Sequence, residues 1–96
     1  MYAAVRRYEG ITDDAEAGRL VDESFLPLLE DVKGFVAYYW IDAGDGAMAS
    51  LSVFDDKAGA DESVELARRW VHENASELIP NGPQVTEGLV VASATR

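Results

Sequence analysis

The chain of 96 residues carries 18 acidic and eight basic side chains, a formal charge of −10, one histidine and no cysteine. That length fits one domain, the lack of cysteine excludes disulfides and thiolate metal sites, and the surplus of negative charge repels nucleic-acid phosphates and anionic lipid heads. The N-terminal MYAAVRRYEG lacks the charged leader and apolar run of a signal peptide, and no segment approaches a membrane span, so a cytoplasmic protein is expected, with neither nucleic acid nor membrane as partner.

Residues 2 to 8, partly β-branched and aromatic, read as a first strand that stops at Glu9-Gly10. Asp13 and Glu16 have capping-box spacing, which places a helix start there. Ala17, Leu20, Val21, Ser24, Phe25, Leu28 and Val32 form its apolar stripe, and Pro27 should kink or break the helix near residues 23 to 26, because it removes a donor and crowds the preceding turn. Gly34 can end it. Residues 35 to 42 then form a near-continuous apolar and aromatic strand, AGDG at 43 to 46 is turn chemistry, and residues 47 to 54 complete a hairpin. Asp55 and Asp56 suit a helix N-terminus. The second helix is expected to run to Ile79, with Ala60, Val64, Ala67, Val71, Asn74, Ala75 and Leu78 on its apolar face, before Pro80-Asn81-Gly82-Pro83 stops it and residues 84 to 93 supply a last strand.

The order strand, helix, strand, strand, helix, strand predicts one ferredoxin-like α+β domain over residues 1–96, a four-stranded antiparallel sheet with both helices on one face. The second strand has no polar side: Phe35, Ala37, Tyr39 and Ile41 share one parity, and Val36, Tyr38 and Trp40 the other. A large aromatic side chain contributes roughly 4–6 kcal/mol of gross burial. The face left open by the helices, expected to carry Tyr38 and Trp40, is therefore predicted to pair with the same face of a second chain as a homodimer.

Gly34-Phe35 and Tyr38 opening the second strand, with Ser52-Val53-Phe54-Asp55-Asp56 leading into Ala58, Ala60 and Ser63, resemble the dimeric α+β barrel superfamily, and within it the antibiotic biosynthesis monooxygenase-like domains. The likeness covers nearly the whole chain in element order, and about residues 34 to 63 in detail. It implies a pocket between sheet and helices in each subunit, and oxidation of a small aromatic or polyketide-type substrate with no metal, flavin or other cofactor. A non-catalytic small-ligand-binding or interaction module is the alternative. Haem-degrading relatives use an Asn on the first strand with a Trp and a His on or near the second helix; here the first strand offers Arg6 and Arg7, and Trp70 and His72 diverge by ~200° around the helix.

Several side chains bear on that pocket. Trp70 and Asn74 lie one helical turn apart and are the weak catalytic candidates, Asn74 as either a pocket group or a backbone partner. Arg6 and Arg7 leave opposite faces of the first strand, so one of them is covered; it either pairs with Glu87 on the neighbouring last strand or clamps a substrate anion. Tyr8, Tyr38, Tyr39 and Trp40 read as core and dimer seam or as pocket wall. His72 falls on the solvent side of its helix, and Asp42 and Asp45 provide too few oxygens for a metal. Ser50, Ser52 and Ser63 have no base placed beside them by any motif.

Overall fold

Antiparallel pairing of the apolar runs builds one sheet, and its register decides which side chains meet the helices. The computed structural model describes residues 1–96 as β1 (Tyr2–Tyr8), α1 (Asp14–Leu20), a π turn (Val21–Phe25), α2 (Leu26–Glu30), β2 (Phe35–Gly44), β3 (Ala47–Phe54), α3 (Lys57–Asn74) and β4 (Gln84–Leu89). The sheet order is β2-β3-β1-β4 with every pair antiparallel, which is the ferredoxin-like arrangement. No helix is long and apolar enough to cross a membrane.

The helix starts follow the acidic caps. Asp13 Oδ1 accepts the Glu16 N–H at 3.1 Å, and Asp56 Oδ1 accepts the Gly59 N–H at 3.0 Å. Pro27 acts differently from expectation. The chain stays helical through it, because the preceding turn widens: the Leu26 N–H donates to the Val21 carbonyl five residues back, and Pro27 falls in the first turn of α2, where its missing donor leaves no gap. The residue absorbed by the π turn shifts the helical phase. Ala17, Val21 and Phe25 are buried as predicted, but beyond the turn Leu29 is buried and Leu28 lies 46% exposed.

The β2–β3 turn places Gly44, Asp45 and Gly46 at positive φ, which the two glycines adopt without penalty. At the other end of the hairpin the register slips between Phe35 and Ala37, so Val36 is the extra residue of a bulge. The bulge puts Phe35 on the same face as Tyr38 and Trp40. That face is the one under the helices, so the expectation that Tyr38 and Trp40 lie on the open side is corrected: Tyr38 packs edge-on against Phe25, and Trp40 against Tyr8. The open side carries Ala37, Tyr39 and Ile41 from β2, Val5 from β1, and Leu51 and Val53 from β3. It is still apolar, with Tyr39 59% and Ile41 52% exposed.

Two ends are shorter than the sequence reading. Helix α3 stops at Asn74, and a looser segment delivers Ala75 and Ile79 to the core; its buried line runs through Ala60, Ser63, Ala67 and Trp70. Strand β4 ends at Leu89, since its pairing partner β1 begins at Tyr2 and leaves later residues nothing to bond beyond one contact from the Val90 N–H to the Met1 carbonyl, 3.0 Å.

Candidate functional site

On the inner face of the sheet, small and polar side chains occupy the middle of the two central strands. Alternation along β3 turns Met48, Ser50, Ser52 and Phe54 inward, and along β1 it turns Tyr2, Ala4, Arg6 and Tyr8 inward. The register sets Arg6 directly across from Ser50, and Ser50 across from Trp40; one pair further along, Ser52 lies between Ala4 and Tyr38. Large aromatic groups on β2 therefore reach over two serines toward an arginine.

The helices close this layer from above. Val21 and Phe25 of the π turn and Ala67, Trp70 and Val71 of α3, with Ile79, join Arg6, Tyr8, Tyr38 and Trp40 around a cavity of about 10 Å³ measured to the centre of a water-sized sphere, room for about one water. Phe25 anchors the aromatic wall, with ring centroids 5.7 Å from Tyr38 and 5.4 Å from Trp70. Trp70 is fixed by its indole N–H, which donates to Ser24 Oγ at 2.9 Å.

A surface groove of about 440 Å³ abuts this cavity between the α1 arm and the edge strand β2, sharing Val21, Tyr38 and Trp40 with it. Ligand pockets commonly fall between ~300 and 1,000 Å³. A second groove, about 200 Å³, adjoins the other side and shares Tyr8, Val71 and Ile79; it is bordered by Arg68, His72, Ser76 and Asn81.

Arg6 is the one cation in the cavity wall. It is 1% exposed and its Nη2 donates to Ser52 Oγ at 3.3 Å, while Nε and Nη1 meet no protein acceptor. The expected Glu87 partner is elsewhere: Glu87 pairs in register with Ala4, and its carboxyl faces Asp61 and Lys57 of α3. Trp40 Nε1 and Ser50 Oγ are likewise buried without a partner. Burial pushes the Tyr38 phenol up to about 12 and raises Tyr8 as well, the nearby Arg6 charge offsetting part of each rise. Both phenols are therefore hydrogen-bond donors near neutrality and not bases.

The other candidates separate from this cluster. Arg7 is exposed on the open side, where it pairs with Glu9 at 3.4 Å. Asn74 is exposed, and its side-chain N–H donates to the Trp70 carbonyl at 3.1 Å, so it closes the last turn of α3 and does not reach the cavity. His72 is exposed while Trp70 is 4% exposed, so the two do not converge as a haem-degrading constellation requires. Asp42 turns its Oδ1 onto the Gly44 N–H at 2.9 Å and stabilises the hairpin. Sequence reasoning missed Val21, Phe25 and Ile79 as cavity wall, and considered Ser50 and Ser52 only as nucleophiles. Their shared parity with Met48 and Phe54 was the available signal.

No protein-family model matches the chain, and no curated protein matches it in sequence. Solved structures do. A protein of unknown function from Nitrosomonas europaea superposes with a TM-score of 0.79 at 21% identity, covering 99% of this chain and 93% of that one. The ActVA-Orf6 monooxygenase of Streptomyces coelicolor, in complex with nanaomycin D, gives 0.74 at 14% identity over 99% and 91% of the two chains. A dimeric ferredoxin-like protein from an uncultured marine organism gives 0.65 at 13% identity, covering both chains fully, 100% and 100%. At these identities the likeness is one of fold, and to that extent the resemblance read from residues 34–63 is borne out: the chain has the ferredoxin-like α+β fold that these proteins share.

Proposed function

We propose that residues 1–96 act as one domain that pairs through its open sheet face into a homodimer, and that each subunit oxidises a small aromatic or polyketide-type molecule held between helices and sheet. The observation that carries this reading is the aromatic wall of Tyr8, Phe25, Tyr38, Trp40 and Trp70 around a polar centre, separated from an adjoining groove of ligand size by the shared side chains Val21, Tyr38 and Trp40. The fold shared with a monooxygenase holding nanaomycin D supports it, as does the dimeric state of a second neighbour. The exposed Tyr39 and Ile41 beside Val5 and Leu51 supply the apolar surface for pairing.

The chemistry suits a substrate with an acidic ring CH₂ conjugated through flanking arenes to a carbonyl across the ring. Loss of one proton gives an enolate that donates electrons to dioxygen. A C–O bond forms, the resulting peroxide takes up a proton, and loss of water leaves a ketone, so that CH₂ and O₂ become C=O and H₂O. The cavity provides donors for a developing oxyanion, namely Arg6 and the Tyr38 phenol, but no side chain suited to take the proton, which therefore passes to solvent.

Oxygen uptake with 1,8-dihydroxyanthrone tests the proposal. Consumption of one O₂ per quinone formed, above the uncatalysed rate and reduced in Trp70→Phe, is the expected outcome. The lack of a base in the cavity wall favours a second reading, a ligand-binding module without turnover. Uptake at the background rate, with the anthrone still bound, would select it.

A further inference from the structure

Resting on the reading of an aromatic pocket, we infer that Arg6 is an anion receptor, and that the ligand this protein takes is a flat aromatic anion, a carboxylate, phenolate or enolate, in preference to its neutral analogue. Arg6 sits at the centre of the covered sheet face, 1% exposed, with Nε and Nη1 free of protein acceptors. Arginine is rarely buried without a carboxylate, because desolvating a cation is unfavourable unless charge and hydrogen bonds compensate. Here its well-formed protein bond goes to Ser52 Oγ, a neutral hydroxyl at 3.3 Å, and the other oxygens beside it are the Tyr8 and Tyr38 phenols, which are neutral too.

No acidic group fills the gap. The cavity wall contains no Asp or Glu, and the inward carboxyl of β4, Glu87, faces Asp61 and Lys57 with its Oε1 buried and unpartnered. The cavity itself is too small for a ring. A ring fits the adjoining groove, whose wall includes Tyr38 and Trp40, and a carboxylate or oxyanion at its inner end would reach Arg6 once those two side chains part. The buried, unpartnered Trp40 Nε1 is a further donor at that end. At the inner end two donor groups and no acceptor carboxylate select an anion over an amide, which would bring N–H groups of its own, while the one carboxylate of the groove, Asp22, lies in the outer wall beside Gly18 and Leu26.

The experiment compares 2-naphthoate with the neutral, isosteric 2-naphthamide, following tryptophan fluorescence of the full chain and the ¹⁵N resonance of the Arg6 Nε–H. Naphthoate is expected to bind on the order of 10- to 100-fold more tightly than the amide, the range for a charged hydrogen bond, and to shift the Arg6 Nε–H signal. Arg6→Met should bring the ratio to about one while leaving amide binding in place. Equal affinity of the two compounds in the wild type overturns the anion receptor and leaves the aromatic pocket standing; binding of neither removes both. A naphthoate preference that survives in Arg6→Met, or an Arg6 Nε–H signal unmoved at saturation, also overturns the inference. The wild-type comparison and the Arg6 signal hold even where the variant does not fold.

Discussion

Replacing Arg6 by methionine should make the ligand-free protein more stable, and the sign of that change separates a receptor from a structural arginine. The stem of the side chain is enclosed between strands and helices, so an unbranched apolar chain of similar length keeps most of the packing. What is lost is one hydrogen bond from a charged donor, ~1.5 kcal/mol at most for a contact as long as 3.3 Å. What is recovered is the desolvation of a guanidinium with two unpartnered nitrogens, several kcal/mol even after relaxation. The net gain is about 1–3 kcal/mol, which for a domain of this size raises Tm by about 4–8 °C per kcal/mol. Urea denaturation at fixed protein concentration, monitored by circular dichroism, measures it. A loss of more than ~1 kcal/mol in Arg6→Met would mean that the fold depends on the charge, and the reasoning would fail.

Other perturbations test the rest of the frame. Leu51→Glu puts a charge in the middle of the open face and should convert a dimer into a monomer in sedimentation velocity at micromolar concentration; a wild type that is already monomeric there removes the pairing proposal. Gly59→Ala places a methyl 2.9 Å from Phe54 Cδ1 and 3.0 Å from the Lys33 carbonyl, so the overpacking, ~1–3 kcal/mol, should outweigh the gain in helix propensity and lower the melting temperature. Ser50→Val removes a buried hydroxyl without a partner and fills space beside Arg6; it should stabilise the free protein by about 1 kcal/mol while weakening naphthoate binding, read by denaturation and fluorescence titration. Asp14 is held above the ordinary carboxylate value of 3.8 by desolvation and then by the Asp42 carboxylate beside it. Its folded form keeps a proton that the unfolded chain releases, so its contribution falls as pH rises from 3.8 through the raised value. Asp14→Asn should flatten that part of the stability–pH curve, and an unchanged slope as pH rises above 3.8 would count against the pair.

Element order was legible in the sequence because each element carries its own punctuation: the caps at Asp13 and Asp56, the glycines of the 43–46 turn, and the Pro80–Pro83 stop. Side-chain direction was not, and two local irregularities explain why. Val36 bulges out of β2, which adds a residue between Phe35 and Tyr38 and makes parity counting from either end give different faces. The π turn at Val21–Phe25 does the same for the first helix, moving the buried position from Leu28 to Leu29. Asn74 was placed on the buried face for a related reason, since that face was centred on Val64 and Val71 when the buried line runs through Ser63, Ala67 and Trp70; of its two alternatives, the backbone partner is the one the structure shows. Alternation showed that one of Arg6 and Arg7 is covered without saying which, and the partner was inferred from strand adjacency alone. Register places Val85, not Glu87, opposite Arg6.

The same irregularities account for where the site lies. Without the bulge, Tyr38 and Trp40 would face outward with Ile41 turned in, and the inner sheet would present aliphatic carbon to the helices. With it, two rings with polar edges are brought over Ser50 and Ser52, whose small volumes leave Arg6 room beneath the helices. A core built for stability alone would fill these central positions with Val, Leu or Ile and would have no use for a buried guanidinium. Here the apolar residues that hold the fold together, Phe54, Leu29, Val32 and Met48 among them, supply the core outside the cavity lining, while the middle is given to a cation, two hydroxyls and an indole N–H. Local violations of packing logic on a scaffold that otherwise obeys it are expected at functional or strained positions, and they support the proposed site. On that reasoning the π turn belongs to the proposed site: it sets Val21 and Phe25 in the wall of the same cavity as Arg6, which the bulge surrounds with aromatic groups.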